Sequence, residues 1–267
     1  MNTIIDKSDL IKLILEKIRL NKDNSISQWN CDQNCFTRHF ILDDFLPEEL
    51  CRSIYDDYIL ADKNFVRGRA ITKQNKKTLK NLDFVSAKTQ NLYRAIHSEE
   101  FLSEIAEIVG IKSIESDPSL YAGGLSVMNK NDYLNPHIDN SHDARRLKYR
   151  RLNFLFYITP DWNMNNGGSL ELWNKSVTKN LSIESKFNRL VIMETNKSSW
   201  HSVNKIKVEG SRCCLSTYFF TKNSPENYQY FHVTSFNGRP DQKLLRLYSP
   251  LDNFIRNCVA QILNHGR

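Results

Sequence analysis

No stretch of the chain approaches the ~20 consecutive apolar residues that a membrane-crossing helix needs. The first ten residues, MNTIIDKSDL, carry Asp6, Lys7 and Asp9 where a secretory leader would need an apolar run. Both absences point to a cytoplasmic protein that makes no membrane contact. Internal repeats and low-complexity tracts are also missing. Cysteine offers no zinc framework: Cys31 and Cys35 have no second pair and no nearby His-x-x-x-His to complete a site. Cys51 and Cys258 stand alone, while Cys213 and Cys214 adjoin in a strand-like run that sends their side chains to opposite faces. Buried free thiols are the expectation for most of the six.

What is present is ordinary for a globular protein: 40% hydrophobic and 25% charged residues in a chain of 267. That length allows one large domain with a substantial core. The net charge of +7 favours anionic partners but says nothing about fold, and the abundance of Lys and Asn gives it little weight.

Residues 8–20 carry Leu10, Ile11, Ile14, Leu15 and Ile18 at helical spacing, with Ser8 as a candidate N-cap. Residues 21–37 read as a polar loop. HFILDDFLPEELCRSIYDDYIL reads as a strand followed by a helix with Pro47 in its first turn and Glu48 and Glu49 at its positive end. Residues 86–110 read as helical. From about residue 119 the texture changes to short apolar or alternating runs (RLNFLFYIT, GGSLELWN, RLVIMET, RCCLSTYFF) separated by turn formers, the pattern of an antiparallel sandwich or barrel. The tail, SPLDNFIRNCVAQIL, reads as a last helix opened by Ser249 and Pro250. The expected architecture is one integrated domain over 1–267, mainly β with flanking helices: helical support over 1–118, the strand core over 119–221 and an extension over 222–267.

In an extended segment residues i and i+2 share a face, so His137 and Asp139 stand side by side as two ligands of one metal would. A third ligand must come from elsewhere, and His201 follows a buried-type strand sixty-two residues on. Two imidazoles and one carboxylate can hold one face of an octahedral ion and leave the opposite face open, which suits ferrous iron. Arg212 opens the next strand eleven residues later, and its guanidinium matches a carboxylate in bidentate geometry. Each residue also has a blander reading: an Asx-rich surface turn for His137 and Asp139, a strand-end histidine for His201, an edge salt bridge for Arg212. His142 competes as a ligand, but its spacing from His137 would place it on the wrong face of a continued strand, so a surface or substrate-facing position is expected. His39, His97, His232 and His265 read as structural. Arg145, Arg146, Lys148, Arg150 and Arg151 form a basic run that reads first as a solvated loop and second as a guide for an anionic substrate. Trp162, Trp173 and Trp200 read as core or pocket walls.

From Tyr121 to Phe220 the order HID, YRRLNFLFYITPDWNMNNGGSLELW, WHSV and SR resembles the Fe(II)/2-oxoglutarate-dependent oxygenases, most closely their prolyl-4-hydroxylase-like branch. FLPEEL at 45–50 is similar to the helix that commonly precedes such cores. The resemblance implies a double-stranded β-helix, or jelly roll, with Gly167-Gly168 as its double-glycine turn. It implies His137, Asp139 and His201 as iron ligands, Arg212 on the far carboxylate of 2-oxoglutarate, Tyr157 adding a hydroxyl there and Val203 lining the pocket. No catalytic residue beyond the metal centre is implied. Fe(II) is the implied cofactor, 2-oxoglutarate and dioxygen the co-substrates, and ascorbate a candidate reductant. The implied activity is hydroxylation of an unactivated C–H bond, in a prolyl or other residue of a protein or peptide. A free amino acid or small metabolite is the alternative substrate, and a non-enzymatic cupin-like metal-binding module the alternative class. Tyr218 stands where base-demethylating relatives carry a second arginine, which speaks against nucleic acid, and Asp139 stands where halogenases carry a small residue.

Overall fold

The computed structural model describes residues 5–31, 37–70, 73–116, 123–226 and 228–262. Cys35, Tyr121 and His265 lie outside the described residues. Helix α1 (Lys7–Leu20) buries Leu10, Ile14, Leu15 and Ile18, as the spacing requires, but its cap is Asp6, whose carboxylate accepts the Asp9 amide at 2.8 Å. The segment read as a loop holds a second helix, α2 (Lys22–Trp29). Its sequence, KDNSISQW, is too polar to show a period. Tertiary bonds hold it instead: the Gln28 amide both donates to and accepts from the backbone of Ile41. Helix α3 (Glu48–Leu60) starts one place later than expected, with Pro47 at its cap. Residues 86–110 form two helices, α4 (Ala87–Ile96) and α5 (Glu99–Val109), because Ser98 breaks the first and caps the second through the Phe101 amide. The last helix, α6 (Lys243–Ile262), begins six residues before Ser249 and carries Pro250 internally.

The strands are β1 (His39–Leu42), β2 (Val66–Ala70), β3 (Gln74–Leu79), β4 (Glu115–Ser116), β5 (Gly124–Met128), β6 (Tyr133–Ile138) and β7 (Tyr149–Tyr157). They continue with β8 (Leu170–Trp173), β9 (Asn180–Ile183), β10 (Arg189–Glu194), β11 (His201–Val203), β12 (Arg212–Thr221) and β13 (Ser235–Phe236). Their order is β1-β10-β7-β12-β5-β3-β6-β11-β8-β9, with β2, β4 and β13 added to β3, β12 and β6. The segment before residue 119 is thus not only helical support. It supplies four strands, including the β2–β3 hairpin that joins the two halves of the sheet through β5 and β6.

Strand alternation divides the sheet into two faces. Leu152, Phe154 and Phe156 of β7 and Cys213, Leu215 and Phe219 of β12 pack against the helices. Tyr157 and Cys214 face the other way, into a cluster with Leu172 of β8 and Val191 of β10. Strands far apart in the sheet order therefore meet across its interior, which is what a sheet curled into a jelly roll does. Cys213 and Cys214 lie on opposite faces, and Cys51 joins them as a buried free thiol, while Cys31 is exposed.

Phe154 is fully buried and meets Phe45, Phe101 and Phe219 edge-on or nearly so. Phe154→Ala is expected to cost about 3–5 kcal/mol of unfolding free energy, measured by urea denaturation. A loss below about 1 kcal/mol would mean that this aromatic cluster does not tie sheet to helices.

Candidate active site

His137 sits near the end of β6, Asp139 just past it, and His201 opens the neighbouring β11, directly opposite His137 in the antiparallel register. The two imidazole centroids lie 4.1 Å apart. Asp139 bridges them: its Oδ1 is 3.7 Å from His137 Nε2 and its Oδ2 3.6 Å from His201 Nε2. All three side chains are buried, and their ligand atoms lie within 4.8 Å of one another. Each imidazole is oriented from behind, His137 Nδ1 on the Asn135 carbonyl at 3.0 Å and His201 Nδ1 on the Ser199 carbonyl at 2.9 Å. With Nδ1–H donating to those carbonyls, each Nε2 turns a lone pair towards the shared centre. Asp139 Oδ2 has no hydrogen-bond donor. Burial, then the neighbouring His201, push the His137 imidazolium down to about 3, so the ring is neutral at physiological pH. Burial alone would raise the Asp139 carboxyl, but Arg150 and the two histidines outweigh it and hold it below its usual value. Two imidazoles with Nε2 turned inward and one carboxylate oxygen, converging on a point, are the donor set of a divalent cation.

Arg212 opens β12 opposite Met128 of β5. Its Nε donates to the Gly168 carbonyl at 2.6 Å and to Ser185 Oγ at 3.0 Å, which fixes the plane of the guanidinium. Among the described residues no carboxylate pairs with its terminal nitrogens. Tyr157, two residues from Arg212 in the β7–β12 register, lies with its ring centroid 4.8 Å from the Arg212 guanidinium carbon. Its hydroxyl is buried beside Arg212 with no well-formed hydrogen bond among the described residues, and burial pushes the phenol upward. The double glycine explains how the arginine reaches this position. A Cβ on Gly167, at φ +76°, would lie 2.1 Å from the Lys205 carbonyl oxygen, and one on Gly168 would lie 2.7 Å from Arg212 Cδ.

One cavity of about 830 Å³ is lined by His137, Asp139, His201, Tyr157, Val203 and Arg212. Lys76, Asn153, Tyr218 and Phe236 also line it, and sequence reading passed over the first two and the last. The signal for Lys76 was available: Gln74, Lys76 and Thr78 recur at period two in β3 and all face the cavity. Burial pushes the Lys76 amine down, and Asp139 partly restores it. Tyr218, noted only as a departure, forms a floor for Arg150, whose guanidinium carbon lies 3.7 Å from the ring centroid.

His142 is buried rather than at the surface. It bridges to Tyr149, bonds Ser141 Oγ at 2.8 Å and stays away from the cavity wall, because the chain turns off the strand after Ile138. The basic run is dispersed, not a patch. Arg150 lies buried 3.5 Å from Asp139, Lys148 pairs with Glu115, Arg146 donates to the Ala260 carbonyl, and Arg145 is exposed. Trp162 and Trp173 are buried with their indole N–H groups on the Gly167 carbonyl and Ser202 Oγ, and Trp200 is half-buried. No helix among the described residues is long and apolar enough to cross a membrane.

Residues 123–220 match the family described as the 2OG-Fe(II) oxygenase superfamily. It is 26% identical over 189 residues to the mouse prolyl 3-hydroxylase OGFOD1, covering 63% of this chain and 33% of that one. Against the Xenopus laevis protein of the same name it is 33% identical over 82 residues, 28% of this chain and 15% of that one. The chain thus spans about a third or less of the curated relatives it matches. Among solved structures, a prolyl-4-hydroxylase from Pseudomonas putida superimposes with a TM-score of 0.55 at 15% identity, over 74% of this chain and 98% of that one. A Trichoplax adhaerens prolyl hydroxylase, solved with a peptide fragment of the hypoxia inducible factor oxygen degradation domain, gives 0.55 at 16% identity over 78% and 93%. These likenesses are of fold.

Since the Tyr157 hydroxyl makes no well-formed hydrogen bond among the described residues, Tyr157→Phe is expected to leave the unfolding free energy within about 1 kcal/mol of wild type or to raise it. A loss above about 2 kcal/mol would show that the fold itself uses the hydroxyl.

Proposed function

We propose that the chain is an Fe(II)- and 2-oxoglutarate-dependent hydroxylase of prolyl residues in proteins or peptides. One observation carries the reading: a buried His-Asp-His cluster and an arginine without a carboxylate open into the same cavity. In this reading His137, Asp139 and His201 hold Fe(II), while Arg212 clamps the far carboxylate of 2-oxoglutarate, with the Tyr157 hydroxyl as a further donor and Val203 against the carbon chain. The iron and keto acid, when bound, supply the oxidising power that hydroxylates an unactivated C–H bond as 2-oxoglutarate gives succinate and carbon dioxide.

The chain's own residues do the rest. The Asn135 and Ser199 carbonyls keep both imidazoles in the tautomer that ligates. Arg150 keeps Asp139 ionised although it is buried. A polypeptide substrate is supported by the names of the curated relatives and by a cavity larger than a five-carbon diacid needs, with Phe236 in its wall to meet a pyrrolidine ring. The buried free thiols suit a reducing compartment, and we place the enzyme in the cytosol.

The deciding experiment supplies Fe(II), 2-oxoglutarate and air with proline-containing peptides, and reads succinate together with gain of one oxygen by the peptide. Succinate without peptide oxidation by any prolyl sequence would move the substrate to a free amino acid or metabolite. Absence of both would remove the enzymatic reading. Within it, His201→Ala should abolish succinate formation and weaken Mn(II) binding in calorimetry while the far-ultraviolet circular dichroism stays native. Near wild-type turnover would refute the ligand set. Arg212→Gln should weaken 2-oxoglutarate by roughly 2–5 kcal/mol, seen as a steep rise in KM with metal affinity preserved. An unchanged KM would mean that the carboxylate is held elsewhere.

A further inference from the structure

Helix α6 is amphipathic in the wrong sense for a helix lying on a protein. Its polar residues face inward. Arg246 donates to the Val177 and Gly238 carbonyls, Asp252 accepts from Lys73, and Arg256 donates to the Thr234 carbonyl. Asn253 both accepts from and donates to the Phe236 backbone, at 2.9 and 2.8 Å. The opposite face is an apolar stripe turned to solvent, in which Leu244, Leu247, Leu251, Phe254, Ile255 and Ile262 recur at helical spacing and are each at least 51% exposed.

We infer that this stripe is the interface between two copies of the chain, packed α6 against α6 about a two-fold axis. The stripe runs from residue 244 to 262, about 28 Å along the helix. With Tyr248 and Val259 it offers on the order of 800 Å² of apolar surface, the share each partner gives to an interface of standard size. That exceeds the few hundred Å² of a typical monomer's largest apolar patch. No charged side chain interrupts it, so it is complementary to itself, as a two-fold contact requires. A lipid surface is the weaker occupant, because Arg246 and Arg256, which would meet anionic headgroups, are turned inward onto backbone carbonyls. The inner face of the same helix holds β13, whose Phe236 lines the cavity, so the pairing braces the wall of the site.

Sedimentation equilibrium of the full chain from about 1 to 100 μM tests the inference. The expected species is a dimer of twice the 31.3 kDa chain mass. Leu251→Glu with Phe254→Glu should weaken the dimer at least a hundred-fold while circular dichroism stays native, since both side chains are already in solvent. Leu244→Ser with Leu247→Ser is the milder pair if the first does not fold. A wild-type monomer throughout the range, or a dimer undiminished in both variants, overturns the inference. So does a monomer that co-sediments with phosphatidylcholine–phosphatidylserine vesicles, which would assign the stripe to lipid.

Discussion

The register between β6 and β11 is the constraint on which the rest of the site depends. It sets His201 opposite His137, and a slip of one residue would turn His201 out of the cavity. The lock lies on the far side of β11. Ser202 points away from the cavity, accepts from the Trp173 indole at 2.7 Å and donates to Glu171 at 2.5 Å. Arg239 closes the group with an ion pair to Glu171 at 2.7 Å. A buried polar network of this kind tolerates no alternative register, because a slip would leave several of its groups unsatisfied. The geometry of the His-Asp-His cluster is thus held by residues on the far side of the strand from it.

Charge burial shapes the other half of the cavity. Arg150 is almost wholly enclosed, its guanidinium nitrogens make no hydrogen bond, and its neighbours are the Asp139 carboxylate and the rings of Tyr218 and Phe220. Such a cation is tolerable only while its counter-charge persists. Asp139 is therefore tied to the stability of the fold as well as to the site. The aromatic floor explains why a tyrosine stands at 218: a second arginine there would face Arg150 across a few ångströms of low-dielectric interior.

Much of this was legible in the sequence, wherever a side chain's direction follows from strand alternation alone. His137 with Asp139 and Cys213 with Cys214 needed only the period of two, while the double glycine came with the family resemblance and the crowding behind it only with the structure. The unreadable parts depend on what lies across a gap. Helix α2 rests on Gln28 finding the Ile41 backbone, a contact invisible in KDNSISQW. The β2–β3 hairpin, rich in Lys, Arg and Asn, shows no apolar alternation because its inner face lines a polar cavity rather than a core. The basic run from Arg145 to Arg151 suggested one patch, yet Lys148 pairs with Glu115 while Arg150 faces Asp139. The reversed polarity of α6 could not be seen either, since a helical wheel shows two faces without saying which one is inside.

Cys214 lies in the wall of the cavity that also holds His137, Asp139 and His201. A thiol is attacked by oxidants as its thiolate. Burial pushes Cys214 up to about 11 and Cys213 behind it to about 12, so at neutral pH both remain almost entirely protonated. Their enclosure therefore acts as chemical insulation. An oxidant that entered this cavity would meet sulfur in its least nucleophilic form, and the first step of the sulfenic-acid ladder would be slow. The burial that shifts the charged groups of the site also shields the thiols in its lining.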